Sequence, residues 1–336
     1  MTRIHVTYTG GTIGMVESAG GLVPGADLRG WLYRLLEDES DLRTEDVTLT
    51  ELDPLIDSSN ATPESWQSII DDLWAHHDSA DAFVVLHGTD TMAFTAAALS
   101  YALTDFDRPV ILTGSQHPLG TIVSDATANV TGAINAALSG KARGVTLFFG
   151  HHLFAGNRVT KRSSWAFEGF EAPSTGPVAQ SGTPWHWAHM DAEGRGWTDP
   201  RPYRRYDVPV VTFVPGVRAQ RLARMIDPRP DAVVLRTYGV GNIPSDEPGM
   251  SRLVADLADS GVPVVVTSQC PQAEVMLGRY GAGASMDRPG ICGADDMTFE
   301  ATYTKLMFLL SQGLTTSDVC RWMASSIAGE LAEGGR

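Results

Sequence analysis

The chain has 336 residues, of which 43% are hydrophobic and 19% are charged, so its length suits one large domain or two domains of an ordinary globular protein. A formal net charge of −15 argues against broad binding of nucleic acid or of an anionic membrane, although an anionic small ligand can still bind at a local cationic site. The sequence shows no secretory signal and no apolar run as long as a membrane span. The three cysteines, Cys270, Cys292 and Cys320, are widely spaced, which favours reduced thiols in the cytoplasm over a disulfide framework or a zinc site.

Strand-like and helix-like runs alternate along the first half of the chain. Apolar or β-branched runs predict strands over residues 4–8, 48–52, 82–87, 109–113 and 144–150. Helices are predicted over residues 31–37, 63–77, 91–103 and 125–137. Thr62 followed by Pro63 is a typical helix start. This alternation predicts a parallel, doubly wound sheet.

Residues 169–205 lack periodicity and predict a long connection. We interpret its aromatic positions, Trp185, His186, Trp187 and His189, as packing of the connection onto the body. A second series follows, with strands over 208–214, 232–237 and 263–268 and helices over 250–260, 298–312 and 315–329. The prediction is an α/β protein with a large N-terminal doubly wound, mainly parallel sheet domain (1–184), a linker (185–207) and a smaller C-terminal α/β domain (208–336).

Two glycine-containing turns carry hydroxyl groups where chemistry is expected. The turn Thr9-Gly10-Gly11-Thr12-Ile13-Gly14 follows the first strand, and His87-Gly88-Thr89-Asp90-Thr91 follows a buried strand. Glycines let another molecule approach the backbone, and exposed N–H groups can receive an anion or a developing oxyanion. In open α/β sheets, ligands bind outside the carboxyl ends of the strands. We expect these turns to converge there with the turns Asp57-Ser58-Ser59 and Gly114-Ser115-Gln116.

A threonine hydroxyl needs a base before it can attack a carbonyl carbon. Lys161 is the best candidate, because an uncharged lysine near Thr89, oriented by Asp90, could accept a proton. A surface lysine beside an arginine is the alternative, and spacing alone favours that alternative.

An ordered series of motifs resembles the bacterial L-asparaginases, and most of all their cytosolic type I branch. The motifs are YTGGTIGM (8–15), PLIDSSNATP (54–63), VLHGTDTMA (85–93), VILTGSQHP (110–118), residues 146–150 with 156–161, LRTYGVGN (235–242) and GADDMT (293–298). The resemblance extends from the first strand nearly to the C-terminus, so it is far more specific than any single motif.

The resemblance implies a double-displacement hydrolysis of an amide. Thr12 would be the nucleophile that forms an acyl-enzyme, and Thr89, Asp90 and Lys161 would form the second catalytic group. The implied substrate-binding residues are Gly11, Ser58, Gly88, Thr89, Asp90 and Ser115. Of these, Ser58, Thr89 and Asp90 would hold the α-carboxylate and α-ammonium of the substrate, and the backbone N–H of Thr89 and the Ser115 turn are candidate oxyanion donors. No metal or organic cofactor is implied.

The sequence departs from the family on the loop after the first strand. Leu22 stands where cytosolic members carry a lid tyrosine that contacts the nucleophile, and leucine can neither donate nor accept a hydrogen bond. Another group could activate Thr12, such as Lys161 through Thr89; turnover could be slow; or the substrate could differ. The pair Gly20-Gly21 still favours a flexible lid.

Residues 272–281 resemble the periplasmic branch instead. There a glutamate from a neighbouring subunit binds the substrate ammonium, so Glu274 is a candidate for that role, with a solvated carboxylate as the alternative. Asn242 is a candidate for the same cleft. The family forms intimate pairs, so a homodimer or homotetramer is expected. Thr160, Arg236 and Cys270 match an allosteric site of some cytosolic members, with core packing or a structural ion pair as the alternative.

The leading hypothesis is a cytoplasmic L-asparagine amidohydrolase that acts on a small molecule and binds neither nucleic acid nor membrane. The alternatives are hydrolysis of another amide, such as glutamine, a D-amino acid or a larger metabolite, and a catalytically weak amino-acid-binding protein that keeps the fold.

Overall fold

The computed structural model describes residues 2–18, 21–25, 27–39, 44–119, 121, 123–188, 194–278, 286 and 288–332. The chain forms two compact units, Met1–Asp191 and Ala192–Arg336. Among the described residues, no helix combines the length and the apolar character needed to cross a membrane.

The first unit is built on an eight-stranded sheet with helices against it. The strands of the whole unit are β1 (Ile4–Tyr8), β2 (Met15–Ser18), β3 (Gly21–Pro24), β4 (Val47–Glu51), β5 (Ala82–Leu86), β6 (Val110–Thr113), β7 (Val145–Phe149), β8 (His152–Ala155), β9 (Thr160–Lys161), β10 (Phe170–Glu171), β11 (Ala179–Gln180) and β12 (His186–Trp187). The pairs β2-β3 and β9-β10 form two separate two-stranded sheets. Its helices are α1 (Leu28–Glu39), α2 (Pro63–Ala75), α3 (Met92–Ala102) and α4 (Ala126–Leu138). The order in the sheet is β12-β11-β8-β7-β6-β5-β1-β4.

Five neighbouring strands, from the edge strand β4 through β1, β5 and β6 to β7, are parallel, as the sequence predicts. Each of β1, β5, β6 and β7 is buried along its whole length, which explains why these runs consist mostly of apolar and β-branched residues. Helix α2 starts with the predicted cap. Thr62 and Ser65 form a reciprocal capping box, and Pro63 occupies the first turn, where its missing N–H costs nothing.

One edge of the sheet is antiparallel, which the sequence does not predict. Phe149 pairs with His152, so β7 and β8 are joined by the two-residue turn Gly150-His151. Both turn residues have positive φ, 55° and 71°, as a tight hairpin turn requires. Residues other than glycine are uncommon in that conformation, and Gly-His is not one of the residue pairs that mark a hairpin in a sequence.

Two short antiparallel strands, β11 and β12, extend this edge within the segment predicted to be a connection. Trp185 and Trp187 pack against the core cluster, and their rings are stacked at 5.6 Å, which confirms the packing interpretation for these two residues. His189 lies outside the described residues.

The second unit is a smaller four-stranded parallel sheet with its own core. Its strands are β13 (Val210–Thr212), β14 (Val233–Thr237), β15 (Val264–Ser268) and β16 (Ile291–Gly293), in that order across the sheet. Its helices are α5 (Ala219–Met225), α6 (Met250–Asp259), α7 (Phe299–Ser311) and α8 (Thr316–Met323). Thr298 and Thr315 cap α7 and α8 with side-chain oxygens.

Helix α8 is shorter than the predicted helix over 315–329, and the buried Glu330 provides the reason. Its carboxylate accepts hydrogen bonds from the backbone N–H groups of Ile327 and Ala328. Lys305 donates to the carbonyl oxygens of Met323 and Ser325. These buried groups hold the backbone after Met323 in a non-helical path. The prediction also lacks α5 and the hairpin of β2 and β3.

Candidate active site

Four turns of the first unit meet at the carboxyl end of its parallel strands, as the sequence predicts. A methyl group added to Gly10 would overlap the carbonyl oxygen of Ile56, and one added to Gly11 would overlap the backbone of Gly88. One added to Gly88 would lie 2.5 Å from Ser58 Oγ, and one added to Gly114 would overlap the carbonyl oxygen of His87. The turns after β1, β4, β5 and β6 are therefore in direct contact, and side chains larger than hydrogen cannot fit between them.

The first turn presents Thr12. The N–H and the hydroxyl of Thr9 both donate to Leu86 O, at 3.0 and 3.1 Å, which fixes the start of the turn on β5. Gly10 and Gly11 then adopt φ of 122° and 89°, which a residue with a Cβ rarely adopts. A single turn of 3₁₀ helix begins at Thr12, whose side chain is half-buried. Within the described ranges, no side chain hydrogen-bonds the Thr12 hydroxyl.

The second turn presents Thr89 and Asp90 to Lys161. The Lys161 Nζ lies 2.9 Å from Thr89 Oγ1 and 2.7 Å from Asp90 Oδ1. Lys161 is 16% exposed, whereas Asp90 is 63% exposed, so the pair faces solvent through its carboxylate. Strand β9 places the lysine, because Lys161 pairs with Phe170 of β10. The structure thus brings Lys161 together with Thr89 and Asp90, as the sequence analysis expects.

Ser58 lies beside Gly88 and is 4% exposed. Its backbone oxygen accepts a hydrogen bond from Thr91 Oγ1 at 2.7 Å, which joins the third turn to the second. The neighbouring Asp57 carboxylate accepts from the N–H of Ser59 and so fixes the short 3₁₀ helix that carries Ser58. The Ser58 hydroxyl thus sits on a rigid support at the meeting point of two turns.

The fourth turn is held differently. The hydroxyl of Ser115 donates to His117 O at 2.6 Å, so it is engaged within its own loop. The Asp125 carboxylate accepts from the N–H groups of Gln116 and His117, and this fixes the loop against α4. The buried Ser115 therefore contributes to the site as part of a rigid turn.

His87 supports the site and is absent from the sequence prediction. Its Nδ1 is 2.7 Å from Gly88 O and its Nε2 is 3.0 Å from Thr95 Oγ1. A carbonyl oxygen only accepts, so Nδ1 carries the proton and Nε2 accepts from Thr95. Burial lowers the pKa of His87 to about 4, which keeps the ring neutral. The only sequence signal is a polar residue that ends an otherwise apolar strand.

The remaining predicted residues lie elsewhere in the chain. Thr160 precedes Lys161 on β9, whereas Arg236, Cys270, Asn242 and Glu274 belong to the second unit. Arg236 is opposite Thr267 in the β14–β15 pairing, and its guanidinium carbon lies 4.7 Å from the ring centroid of Phe299. Asn242 bonds through its backbone to Tyr238. Glu274 is half-buried and Cys270 is exposed.

Leu22 pairs with Glu17 in the β2–β3 hairpin, but its side chain is outside the described part of the structure. Gly20, Tyr280 and Gly281 lie outside the described residues altogether.

One further cluster has the residue types of a metal site. His5, Asp72 and His76 each offer a ligand atom, and these atoms lie within 4.8 Å of one another. However, the two imidazole rings are stacked at 3.7 Å with an interplanar angle of 12°, so a single ion cannot lie in both ring planes. His76 Nδ1 is 2.9 Å from Asp72 O, and His5 Nε2 is 3.0 Å from Asp72 Oδ2. The geometry is that of a hydrogen-bonded core network.

The site therefore has the groups that hydroxyl-based acyl transfer requires: rigid turns present hydroxyl groups, and a lysine lies 2.9 Å from one of them. Comparison with known proteins agrees. Residues 3–192 match the family model "Asparaginase, N-terminal", and residues 207–323 match "Glutaminase/Asparaginase C-terminal domain". The chain belongs to the asparaginase family, and it is an amidohydrolase that acts on a linear amide.

Individual relatives match over nearly the whole chain. L-asparaginase 1 of Escherichia coli (strain K12) is 40% identical, over 98% of this chain and 97% of that protein. The crystal structure of L-asparaginase I from Vibrio cholerae has a TM-score of 0.87 at 35% identity, covering 98% of this chain and 99% of that one. The 60 kDa lysophospholipase of Mus musculus is 33% identical over 98% of this chain, which spans 62% of that longer protein. The predicted family and fold class are confirmed.

Proposed function

We propose that this protein hydrolyses the side-chain amide of L-asparagine to aspartate and ammonia, with Thr12 as the nucleophile. The observation that carries the proposal is the backbone contact between Gly11 and Gly88, which places Thr12 and Thr89 on adjoining turns, with Lys161 Nζ 2.9 Å from Thr89 Oγ1. The 40% identity to a protein named L-asparaginase 1 supports asparagine over the alternative substrates.

In the first half-reaction, a base removes the Thr12 hydroxyl proton and the Oγ forms a bond to the amide carbon. The carbonyl electrons move to oxygen, where the N–H groups of the first and second turns would stabilise the charge. When these electrons return from the oxygen to re-form the C=O bond, the C–N bond breaks, and the nitrogen takes up a proton and leaves as ammonia. The product is an acyl ester on Thr12.

In the second half-reaction, Thr89 and Lys161 activate water. Thr89 Oγ1 takes a proton from the water as it passes its own proton to Lys161 Nζ, and Lys161 in turn passes one of its protons to the Asp90 carboxylate 2.7 Å away. The resulting hydroxide attacks the ester, the bond to Thr12 Oγ breaks, and this oxygen recovers a proton. Aspartate is released and the enzyme is restored.

The same turns bind the amino-acid end of the substrate. The exposed carboxylate of Asp90 suits an ammonium group, while the buried Ser58 hydroxyl and nearby N–H groups suit a carboxylate. Ser115 and its turn complete the pocket wall. Because Leu22 replaces the lid tyrosine, we propose that Lys161, acting through Thr89, also supplies the base for Thr12.

Ammonia release from L-asparagine tests the proposal directly. T12V, T89V and K161M should each lower kcat by at least about 100-fold, since each removes a nucleophile or a proton-transfer group. T175V and K141M are matched controls, because Thr175 and Lys141 are exposed and lie in other parts of the first unit. A wild-type protein that releases no ammonia, but whose Tm rises with asparagine, would contradict hydrolysis and support an amino-acid-binding protein.

A panel of amides tests the substrate. L-asparagine should give the highest kcat/KM among L-asparagine, L-glutamine, D-asparagine and N-substituted asparagines. A clear preference for another member would replace L-asparagine as the substrate and leave the catalytic roles intact.

We further propose a cytoplasmic homodimer or homotetramer in which Asn242 and Glu274 reach the site of a neighbouring subunit, and Thr160, Arg236 and Cys270 bind an effector. The family resemblance supports both parts. Light scattering during size-exclusion chromatography tests assembly. Mixing inactive T12V with inactive E274A subunits tests the shared site, because only mixed oligomers would contain an intact one. Failure to regain activity would place Glu274 outside it.

A further inference from the structure

A buried asparagine of helix α4 lies behind the candidate site and takes no part in the proposed chemistry. Asn129 is 2% exposed. Its Nδ2 donates to Gly114 O at 2.9 Å and to Asp125 Oδ2 at 3.0 Å, and its Oδ1 accepts from the N–H of Gly150 at 3.1 Å. These partners fix the orientation of the amide, because a carbonyl oxygen only accepts and a backbone N–H only donates. One side chain thus connects the turn after β6 with the turn after β7.

Two side chains near the start of α4 hold the turn that contains Ser115. Asn129 binds the residue before Ser115. The Asp125 carboxylate accepts from the N–H groups of Gln116 and His117 at 3.0 and 3.1 Å, and so holds the residues after it. Ser115 itself is 1% exposed. The peptide unit that leads into Ser115 is therefore fixed from both sides before any ligand binds.

The bond from Asn129 to Gly114 O determines where the N–H of Ser115 points. The peptide between Gly114 and Ser115 is trans, and in a trans peptide the carbonyl oxygen and the N–H point in opposite directions. In the sheet, β6 lies between β7 and β5. Gly114 O points to the β7 side, where its partner Asn129 also binds Gly150. The N–H of Ser115 therefore points to the β5 side, where the second turn follows.

The N–H of Ser115 has no acceptor within the part of the chain that the structure describes. Buried N–H groups without an acceptor are rare, so this one is available to a ligand in the site. We propose that Asn129 is a positioning residue for amide hydrolysis, which keeps the N–H of Ser115 directed at the carbonyl oxygen of the substrate. The inference rests on the proposed function, because it assigns Asn129 a part in the same reaction.

The hydrogen bond from Ser115 is strongest during the attack on the amide. Negative charge develops on the carbonyl oxygen as the bond to Thr12 forms, and a donor that is already in place stabilises this charge without further rearrangement. Asn129 acts on the substrate only through the peptide between Gly114 and Ser115. Losing its amide should therefore lower kcat and leave KM nearly unchanged.

Asn129→Asp removes the donor to Gly114 O with almost no change in volume. The new carboxylate can still accept from the N–H of Gly150, but a proton that it retains is shared with the Asp125 carboxylate, so none is left for Gly114 O. We expect kcat for L-asparagine to fall about 10–100-fold and KM to change by less than about twofold. Asn135 is exposed on the same helix, so Asn135→Asp is the matched control and should leave both constants unchanged.

The double variant D125N/N129D separates positioning from stability. It exchanges the two side chains, so the new amide and the new carboxylate can bond to each other, and acceptors remain for the N–H groups of Gln116, His117 and Gly150. Only the donor to Gly114 O stays missing. The free energy of unfolding in urea should therefore recover toward the wild-type value, whereas kcat should stay as low as in N129D. A merely structural role predicts that both recover together.

Crystal structures with bound L-aspartate give a readout that does not depend on turnover. In the wild type, the backbone nitrogen of Ser115 should lie within about 3.2 Å of a side-chain oxygen of the ligand, and in N129D this peptide should turn away from it. The proposal is overturned if N129D keeps the wild-type kcat, if kcat recovers in D125N/N129D, or if the N–H of Ser115 faces away from the ligand in the wild type. A wild-type protein that releases no ammonia, or a T12V variant that keeps its kcat, contradicts the proposed function itself. If N129D does not fold by circular dichroism, the double variant takes its place in each comparison.

Discussion

Gly11 and Gly88 lie backbone against backbone, so closely that a side chain at Gly11 would overlap the backbone of Gly88. Thr12 and Thr89 are the residues that follow them. The distance between the two turns proposed to react is therefore set by main-chain contact. This arrangement suits a site in which two hydroxyl groups serve the same carbonyl carbon, because small displacements of either turn would misalign the attack.

We expect Gly11→Ala to lower kcat by at least about 100-fold, since the new methyl group would push the first turn away from the second. The free energy of unfolding should fall by about 1–3 kcal/mol, because alanine at φ 89° is strained. Ammonia release and urea unfolding measure the two effects.

A matched control separates the overlap from backbone strain. Gly176 has φ 73°, but a methyl group added there would meet open space. Gly176→Ala should lower the free energy of unfolding by a similar amount and leave kcat unchanged. Equal kcat values for the two variants would show that the contact between the turns does not set catalytic geometry.

Ser58→Ala should raise KM more than it lowers kcat, because the buried hydroxyl is proposed to bind the substrate carboxylate in ground state and transition state alike. We expect a rise in KM of about tenfold, the loss of one hydrogen bond to a charged group. The exposed neighbour Ser59 is the control, and Ser59→Ala should leave KM unchanged. A fall in kcat alone would assign Ser58 to the chemical step.

His87 should make the stability of the protein depend on pH. Its pKa is about 4 in the folded protein, below the ordinary value of 6.5, so the folded state disfavours its protonation. The contribution of neutral His87 to the free energy of unfolding is therefore complete above pH 6.5. It is lost as pH falls from about 6.5 to about 4, at about 1.4 kcal/mol per pH unit. Urea unfolding at several pH values measures this slope.

His87→Gln keeps a donor and an acceptor but removes the titrating ring. The variant should be less stable than the wild type at pH 7 and should lose stability less steeply between pH 6.5 and 4. His186 is exposed, so His186→Gln should retain the wild-type slope. The same steep slope in His87→Gln would assign the pH dependence to other groups.

The sequence predicts those parts of the fold that depend on long runs of residues. The parallel strands are rich in apolar and β-branched residues, and helices such as α2 begin with recognisable caps. The sequence does not predict the antiparallel edge of the large sheet, because this edge begins at a two-residue turn with His151 at positive φ. Strand β9, which positions Lys161, has two residues, too few for a periodic pattern.

The candidate site follows the same division. The sequence identifies Thr12, Thr89 and Asp90 as candidate site residues, because glycines and hydroxyl-bearing residues follow predicted strands at these positions. It does not identify His87, because the role of this residue arises from hydrogen bonds to Gly88 and Thr95 that only the folded chain forms.

Lys305 and Glu330 form a fully buried ion pair in the second unit, with Nζ and Oε1 2.5 Å apart and neither side chain exposed. Glu330→Gln should lower the free energy of unfolding by about 3–5 kcal/mol, because it leaves the ammonium of Lys305 buried without its counter-charge. The exposed pair of Arg252 and Asp256 is the control, and Asp256→Asn should cost less than about 1 kcal/mol. Urea unfolding compares the two variants. Similar losses would mean that solvent reaches Lys305 in the folded protein and that the chain after Met323 is not held by this pair.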